Sequence, residues 1–437
     1  VANAARDAEI AGARNANARK NLIKKLADSN PVLLDEFEAA KREAEGASHF
    51  LRNSGRYPLN GRGDINTYAV FAEAGRHVTG ADGRCGLILP SGIATDATTQ
   101  FFFKDLVQRS ALASLYDFEN ARPLFVGVHR SYKFCLLTVA GRNDHVASAD
   151  FSFFAHHPSD LLRENARFTL TPEEIQLLNP NTGTCPVFRT RRDAEITLGI
   201  YRRVPVLIKE GDPDGNPWGI KFMRMFDMSN DSHLFHTREE LEADGWVLNG
   251  NVFEKTDGGG VTLLMVPLFE AKMIHLYDTR WATYEPDGST RYMTEAEKAE
   301  RVTPMPRYWV AERDVDAKLA GHQGKPWFLV WRWIARSTDE RTFIASLVGR
   351  VGAGNSLPLA IFMEDRTLLA GAWASFALDF IARQKLGGAN MTFGTVEQVA
   401  VPVPGTRLGG VDSEYVGVRV DRLNGWIADP IERANVR

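Results

Sequence analysis

Cys85-Gly-Leu-Ile-Leu-Pro-Ser-Gly92 is the stretch on which the fold turns. Its apolar part, Cys85 to Leu89, is short, follows the turn Gly80-Ala-Asp-Gly83 and stops at Pro90-Ser91-Gly92. That is how a buried strand of a parallel sheet reads. Upstream, a helix is predicted from about Ile65 to Val78, entered through the glycine-punctuated loop Asn53 to Gly63. Downstream, Thr98 to Arg109 is predicted helical, with Phe101, Phe102, Leu106 and Val107 facing inward. Leu112-Ala-Ser-Leu-Tyr116 is a second strand and Phe134-Cys-Leu-Leu-Thr-Val139 a third. The link between those two is too short for a helical crossover. The series therefore predicts an α/β fold: the carboxyl-terminal half of a doubly wound, Rossmann-like sheet with an antiparallel edge hairpin, its opening half missing.

Residues 1–50 are rich in Ala, Lys, Glu and Asn, with apolar side chains at Leu22, Ile23, Leu26, Leu33, Leu34 and Phe37, and read as a helical arm. From Val146 the pattern changes to short elements rich in Pro, Gly and Trp, with the turn Gly211-Asp-Pro-Asp-Gly215 and the triple glycine Gly258 to Gly260. Strands are predicted at Val204 to Ile208, Val261 to Val266 and Trp327 to Trp331, and an apolar helix near Leu368 to Ile381. The expected division is an arm (1–50), the half sheet (51–145), a mixed α+β domain (146–405) and a carboxyl-terminal tail (406–437).

The chain has 437 residues, 44% of them hydrophobic, enough for two or three domains that each bury a core. A net charge of −3 gives no global basic field, so any nucleic-acid surface must be a local concentration of cations. Arginine outnumbers lysine, which suits bidentate base and phosphate contacts and equally reflects a GC-rich genome. Cys85, Cys135 and Cys185 are far apart, without Cys-x-x-Cys spacing, so neither a disulfide framework nor a zinc site is expected. His156-His157 lacks a third ligand, and no metal is expected there either. No run approaches the roughly 20 apolar residues of a membrane span, and no signal h-region follows Val1, so a cytoplasmic location without membrane partners is expected. Because Val1 is not Met, the native protein is expected to start further upstream.

Four segments occur in order: Asp64-Ile-Asn-Thr-Tyr-Ala-Val-Phe71, Gly86-Leu-Ile-Leu-Pro-Ser-Gly92, Leu115-Tyr-Asp-Phe-Glu-Asn120 and Leu124-Phe-Val-Gly-Val-His-Arg-Ser-Tyr-Lys-Phe-Cys-Leu-Leu137. Their order and spacing resemble the stretch after the catalytic motif of gamma-class N6-adenine DNA methyltransferases, especially the long type II and type IIG restriction-modification forms and their phage-defence relatives. The likeness covers residues 50–145 and extends more loosely to Arg383-Gln-Lys-Leu-Gly-Gly-Ala-Asn390 and Glu397-Gln-Val-Ala-Val-Pro402, which resemble the end of the family's recognition domain. It implies double-stranded DNA as partner and S-adenosylmethionine as cofactor. The family's two chemical signatures, a Gly-rich cofactor turn and an Asn/Asp-Pro-Pro-aromatic loop, are not found in the sequence. Asn216-Pro217-Trp218 has one proline only and reads as turn chemistry. The resemblance thus implies that the missing amino-terminal half, or a partner subunit, supplies them, and that this chain alone is inactive. A non-catalytic DNA-binding specificity subunit or scaffold in a defence complex is the rival reading. A hydrolase is disfavoured, with no nucleophile elbow or acid pair in view.

The resemblance places Phe125 where related enzymes stack an aromatic on an extruded adenine, with Tyr132 a second candidate; a hairpin hydrophobe packed on the sheet is the alternative. Asn66 and Tyr68 are implied to border the cofactor pocket, although Asp64 or Asn66 capping the helix explains them equally. Pro90 either lines that pocket or ends its strand. Asp117, Glu119 and Asn120 read as turn and hairpin residues. Arg189, Arg191, Arg192, Arg202, Arg203, Lys221 and Arg224 form clusters able to reach phosphates and base edges, against solvated surface charge as the alternative. Arg383, Lys385, Gly387, Gly388 and Asn390 form a second DNA candidate, two glycines beside two cations allowing close approach to a phosphate. The aromatic run Trp327 to Trp333 reads as core.

Overall fold

The computed structural model describes residues 7–13, 16–322, 327–362 and 367–404. Val1 and the predicted tail 406–437 lie outside the described residues. The arm consists of helices Ala8–Ala11, Ala16–Ser29 and Pro31–Asn53, joined by a small cluster of Ile10, Leu26 and Leu33 with Leu22, Ile23 and Leu34.

The decisive stretch forms β1 (Arg84–Pro90) and is followed by β2 (Leu112–Glu119), β3 (Lys133–Ala140), β4 (Ala149–Ala155) and β5 (Phe168–Leu170) in one sheet of order β1-β3-β2-β4-β5. β3 is antiparallel to both β1 and β2, with Leu137 opposite Leu87 on one side and Leu115 on the other, so β1 and β2 run parallel to each other. β4 continues parallel to β2, and β5 closes antiparallel to β4.

Two details differ from the sequence expectation. The hairpin strand β3 is not an edge: it inserts between β1 and β2, because its alternating buried side chains Cys135, Leu137 and Val139 find apolar partners on both sides. β4 and β5, moreover, lie beyond residue 145, where the sequence placed the start of the next unit. One apolar core accordingly runs from Ala69 to Val401 and joins this sheet to the segments that follow.

β1 itself is covered on one face only. Helix Thr67–Val78 lies against Cys85 and Leu87 through Gly75, where an added Cβ would sit 3.4 Å from Cys85 Sγ. On the other face Ile88 is 62% exposed. The fully buried strand read from the sequence is therefore half-covered, and among the described residues β1 pairs only with β3. The turn before β1 meets the end of β3 at Gly141, whose Cβ would fall 2.3 Å from the Gly80 carbonyl oxygen, so only glycine allows the approach.

Helix Gln100–Gln108 joins β1 to β2 and buries Phe102, Phe103, Leu106 and Val107; Phe101, predicted inward, is 43% exposed beneath the Arg62 guanidinium. In the following segments a four-stranded sheet has the spatial order Ala345–Gly349, Trp327–Trp331, Leu359–Ile361, Lys221–Met223, and a five-stranded one is centred on Thr262–Phe269. Trp327 to Trp331 is buried throughout, with Trp331 edge-on to Trp373 and Phe222. The predicted strand Val204 to Ile208 makes only an isolated bridge, Val206 to Ala400. The apolar helix near Leu368 to Ile381 is two, Thr367–Trp373 and Phe376–Lys385, the second restarted by the Ser375 cap on Leu378 N–H.

The loop entering helix Thr67–Val78 is tied down by a fully buried carboxylate. Glu73 accepts from Leu59 N–H at 3.1 Å and from Asn60 N–H at 2.9 Å. Glu73→Leu leaves both donors without that acceptor and is expected to cost about 2–4 kcal/mol, measured by chemical denaturation. Glu73→Gln, which keeps one acceptor oxygen, should lose distinctly less; equal losses would show that the hydrogen bonds contribute little.

Candidate functional site

β1, β2 and β4 are parallel, so their carboxyl ends share one edge of the sheet, where α/β folds bind ligands. Pro90 lies opposite Phe134, Phe134 opposite Phe118, and Phe118 opposite Ala155 along that edge.

The three strand ends are joined by Asp117. Its Oδ1 accepts from the Ser91 hydroxyl just past β1, and its Oδ2 accepts from Phe154 N–H of β4 at 3.2 Å. The second bond exists because β4 bulges there: Tyr116 pairs with Ser152 but Phe118 with Ala155. Phe154 takes φ 61°, a left-handed conformation a phenylalanine seldom adopts, and its N–H turns out of the ladder toward Asp117. Burial pushes the Asp117 carboxyl above the usual carboxylate range, while Lys133, the Ser91 hydroxyl and the Phe154 amide pull the other way. Sequence reading assigned Asp117 to a turn. Its period-two relation to inward-facing Leu115 was the available signal of a buried acid.

Next to it, Glu119 receives His156 Nε2 at 3.0 Å and Lys133 Nζ at 3.6 Å, while His157 caps the following 3-10 turn on Ser159 N–H. Both histidines thus have partners, and among the described residues no group of three metal-ligating side chains gathers. Lys133 and Arg189 each lie against the Phe154 ring, 4.2 and 4.1 Å from its centre, which brings one predicted DNA-contact arginine to this edge. A shallow cavity of about 270 Å³ opens beside it, between Ser152, Phe154, Asp160, Arg163, Arg189 and Thr190.

Over the edge stands the loop between β2 and β3. Asn120, buried at its base, donates to the Phe125 carbonyl at 3.0 Å and the Val128 carbonyl at 2.9 Å, and accepts from Phe125 N–H at 3.2 Å. Fixed in this way, the loop exposes apolar side chains: Phe125 is 41% and Tyr132 65% exposed. Phe125 meets Phe134 edge-on at 5.0 Å, leaving its ring seated on the sheet yet open to solvent.

Tyr68 reaches the same edge, its hydroxyl placed beside Gly92, where an added Cβ would meet it at 3.2 Å. Burial and the nearby Asp96 raise its pKa to about 12. Asn66 caps its helix by accepting from Tyr68 N–H, and Pro90 is exposed at the end of β1. Of these three, Tyr68 is brought to the end of β1 beside Gly92, whereas the Asn66 side chain is engaged in the cap. They do not enclose a cofactor site.

The remaining cations divide. Arg191 and Arg192 pair with Glu195, Arg202 with Glu174, and Arg203 donates to the Gly199 carbonyl, all on the exposed rim of helix Arg191–Tyr201. Arg383 donates to the Ser337 and Glu340 carbonyls. The Lys385 ammonium is enclosed, donating to the Leu178 carbonyl and to Asn179 Oδ1 at 2.5 Å against the Tyr201 ring, and desolvation lowers its pKa well below that of an ordinary lysine. The small size of Gly387 is likewise used within the chain, where an added Cβ would sit 2.9 Å from Thr95. That contact sets the loop against the segment following β1. Gly388 and Asn390 are exposed, and a bridge from Asn390 to Ile334 places them beside Trp333, on whose ring Arg224 lies at 3.8 Å. Lys221 is exposed on the edge strand of that sheet.

No family model matches the chain, and no curated protein matches it. Among solved structures it is similar to the type IIG restriction endonuclease BpuSI, with 12% identity, 89% of this chain and 47% of that one covered, and a TM-score of 0.31. It is also similar to the type IIL restriction-modification enzyme MmeI, solved in complex with DNA, with 11% identity, 85% and 45% covered, and a TM-score of 0.42. The chain spans about half the length of each.

Asp117→Asn keeps an oxygen for Phe154 N–H and offers an amide to Ser91 without burying charge. Since the folded-state pKa of Asp117 is raised, its contribution to stability is present in acid and lost as pH rises through that pKa. Thermal melting should therefore show Asp117→Asn gaining on the native protein between acid and mildly alkaline buffer. A native protein that gains on the variant over that range would contradict this assignment.

Proposed function

We propose that this chain supplies the target-base side and the DNA-recognition part of a site-specific N6-adenine DNA methyltransferase of the restriction-modification type. The observation that carries the reading is the arrangement at the sheet edge: parallel β1 and β2 around antiparallel β3, their ends fixed by Asp117 and overhung by the exposed aromatics Phe125 and Tyr132. An extruded adenine costs a few kcal/mol to unstack, and stacking on an aromatic ring returns ~1–3 kcal/mol. Phe125, rigid at its base and open on one side, is built for that role.

The chain's own contribution is to hold and orient the base. Phe125 stacks on it, Asn120 keeps the loop from collapsing, and Arg189, Arg224 and the exposed residues Gly388 and Asn390 offer donors to DNA along the flanks. S-adenosylmethionine, when bound, supplies an electrophilic methyl group, and Asn66, Tyr68 and Pro90 would form one wall around it. The acceptors that orient the adenine amino group, and the rest of the cofactor site, belong in this reading to an amino-terminal half or a partner subunit. The uncovered face of β1 around Ile88 supports such a neighbour.

A non-catalytic specificity subunit is the second reading, favoured by the engagement of Asn66 in capping and of Tyr68 beside Asp96. Incorporation of labelled methyl groups from S-adenosylmethionine into DNA by the complete gene product separates the two. Methylation is expected, falling about tenfold or more in Phe125→Ala and largely retained in Phe125→Trp, since one stacking contact is worth ~1–3 kcal/mol. DNA binding without any incorporation would select the specificity subunit.

A further inference from the structure

The loop from Asn120 to Tyr132 hangs from one side chain in three short lobes. Asn120 Oδ1 accepts from Phe125 N–H and closes the first, Ala121 to Leu124. A turn from Phe125 to Val128, both of whose carbonyls accept from the Asn120 amide, forms the second. The third is the turn His129 to Tyr132, closed by Tyr132 N–H on the His129 carbonyl at 3.1 Å. Each outer lobe carries one arginine, Arg122 before the Phe125 turn and Arg130 after it.

Both guanidinium groups are exposed, and neither makes a hydrogen bond or ion pair among the described residues. Nothing in the loop neutralises them: no Asp or Glu occurs from Asn120 to Tyr132, and Glu119, just before it, is occupied by His156 and Lys133. Arg191, Arg192 and Arg202, by contrast, each have a glutamate within reach. In a chain of net charge −3, an acid-free loop with two unpaired cations is a local basic concentration that fits an anion. The exposed Phe125 ring between them narrows that anion to a nucleotide strand, since every base on a strand has a phosphate before it and another after it.

We infer that Arg122 and Arg130 each hold a backbone phosphate of bound DNA, flanking the nucleotide whose base lies on Phe125; this rests on the reading above. The test measures binding of the complete gene product to its methylated duplex sequence over a range of salt concentrations. One neutralised phosphate contributes about 0.9 to the slope of log affinity against log salt, so Arg122→Gln and Arg130→Gln should each lower the slope by about one and the double variant by about two. Arg122→Lys and Arg130→Lys should keep the native slope, because counterion release needs only the charge. Phe125→Ala should keep it as well, since stacking neutralises no phosphate, and this separates the arginines from the ring. Arg142→Gln, an exposed arginine past the other end of β3, should also leave it unchanged. Uncharged methylphosphonates in place of the two phosphates beside the target adenine should lower the native slope as the double variant does, and that of the double variant no further. An unchanged slope in the double variant, an equal fall in Phe125→Ala or Arg142→Gln, or a further fall of the double variant on the methylphosphonate duplex overturns this proposal alone. Binding to phosphatidylglycerol vesicles that the double variant loses while its DNA slope stays native assigns the loop to a membrane surface and overturns it too. A native protein that binds no duplex, or methylates none, overturns the reading above and the role of both arginines with it.

Discussion

One buried carboxylate organises the candidate site. Asp117 gathers the carboxyl ends of β1, β2 and β4 by accepting from Ser91 and from the bulged backbone at Phe154, and the geometry of the whole edge follows from that. The bulge sets the Phe154 ring against Lys133 and Arg189. The end of β2 carries Glu119 and Asn120, and Asn120 in turn holds the Phe125 loop. A buried charge is expensive unless hydrogen-bonded, so this acid is an investment in geometry more than in stability.

The cations sort by physics that their sequence clustering does not show. Helix Arg191–Tyr201 spends its arginines on nearby glutamates and a carbonyl, and exposed pairs of that kind hold little energy, so a phosphate competes with them easily. Lys385 and Arg383 are instead committed to backbone carbonyls within the chain. Arg189 and Arg224 lie on aromatic rings, which fixes each planar group while leaving its edge donors available. With a net charge of −3, nucleic-acid affinity would come from such placed groups rather than from a general field.

Much of the sheet was legible because its strands are short apolar runs between turn residues: Cys85 to Leu89, Leu112 to Tyr116 and Phe134 to Val139 all lie within observed strands. What the pattern could not reveal was pairing. A run flanked by turns reads the same at an edge or inside, so the insertion of β3 and the continuation into β4 and β5 were hidden. Phe101, read as inward, is exposed and Phe103 is buried in its stead: each helical residue turns the face by about 100°, so three adjacent phenylalanines do not reveal which two face the core. At the site, Phe125 and the helix cap at Asn66 could be singled out from sequence, whereas Asp117 and the bulge at Phe154 depend on contacts and backbone angles between distant segments. The two glycines at 387 and 388 were read as a phosphate loop, yet the close approach at Gly387 is to Thr95.

The most direct measurement is a structure of the complete gene product bound to its DNA and a methyl-donor analogue. The account predicts a further strand paired with the free edge of β1 and an extruded adenine lying on the Phe125 ring beside Ser91 and Pro90. DNA bound away from the carboxyl edge of the sheet, with Phe125 packed against protein alone, would contradict it.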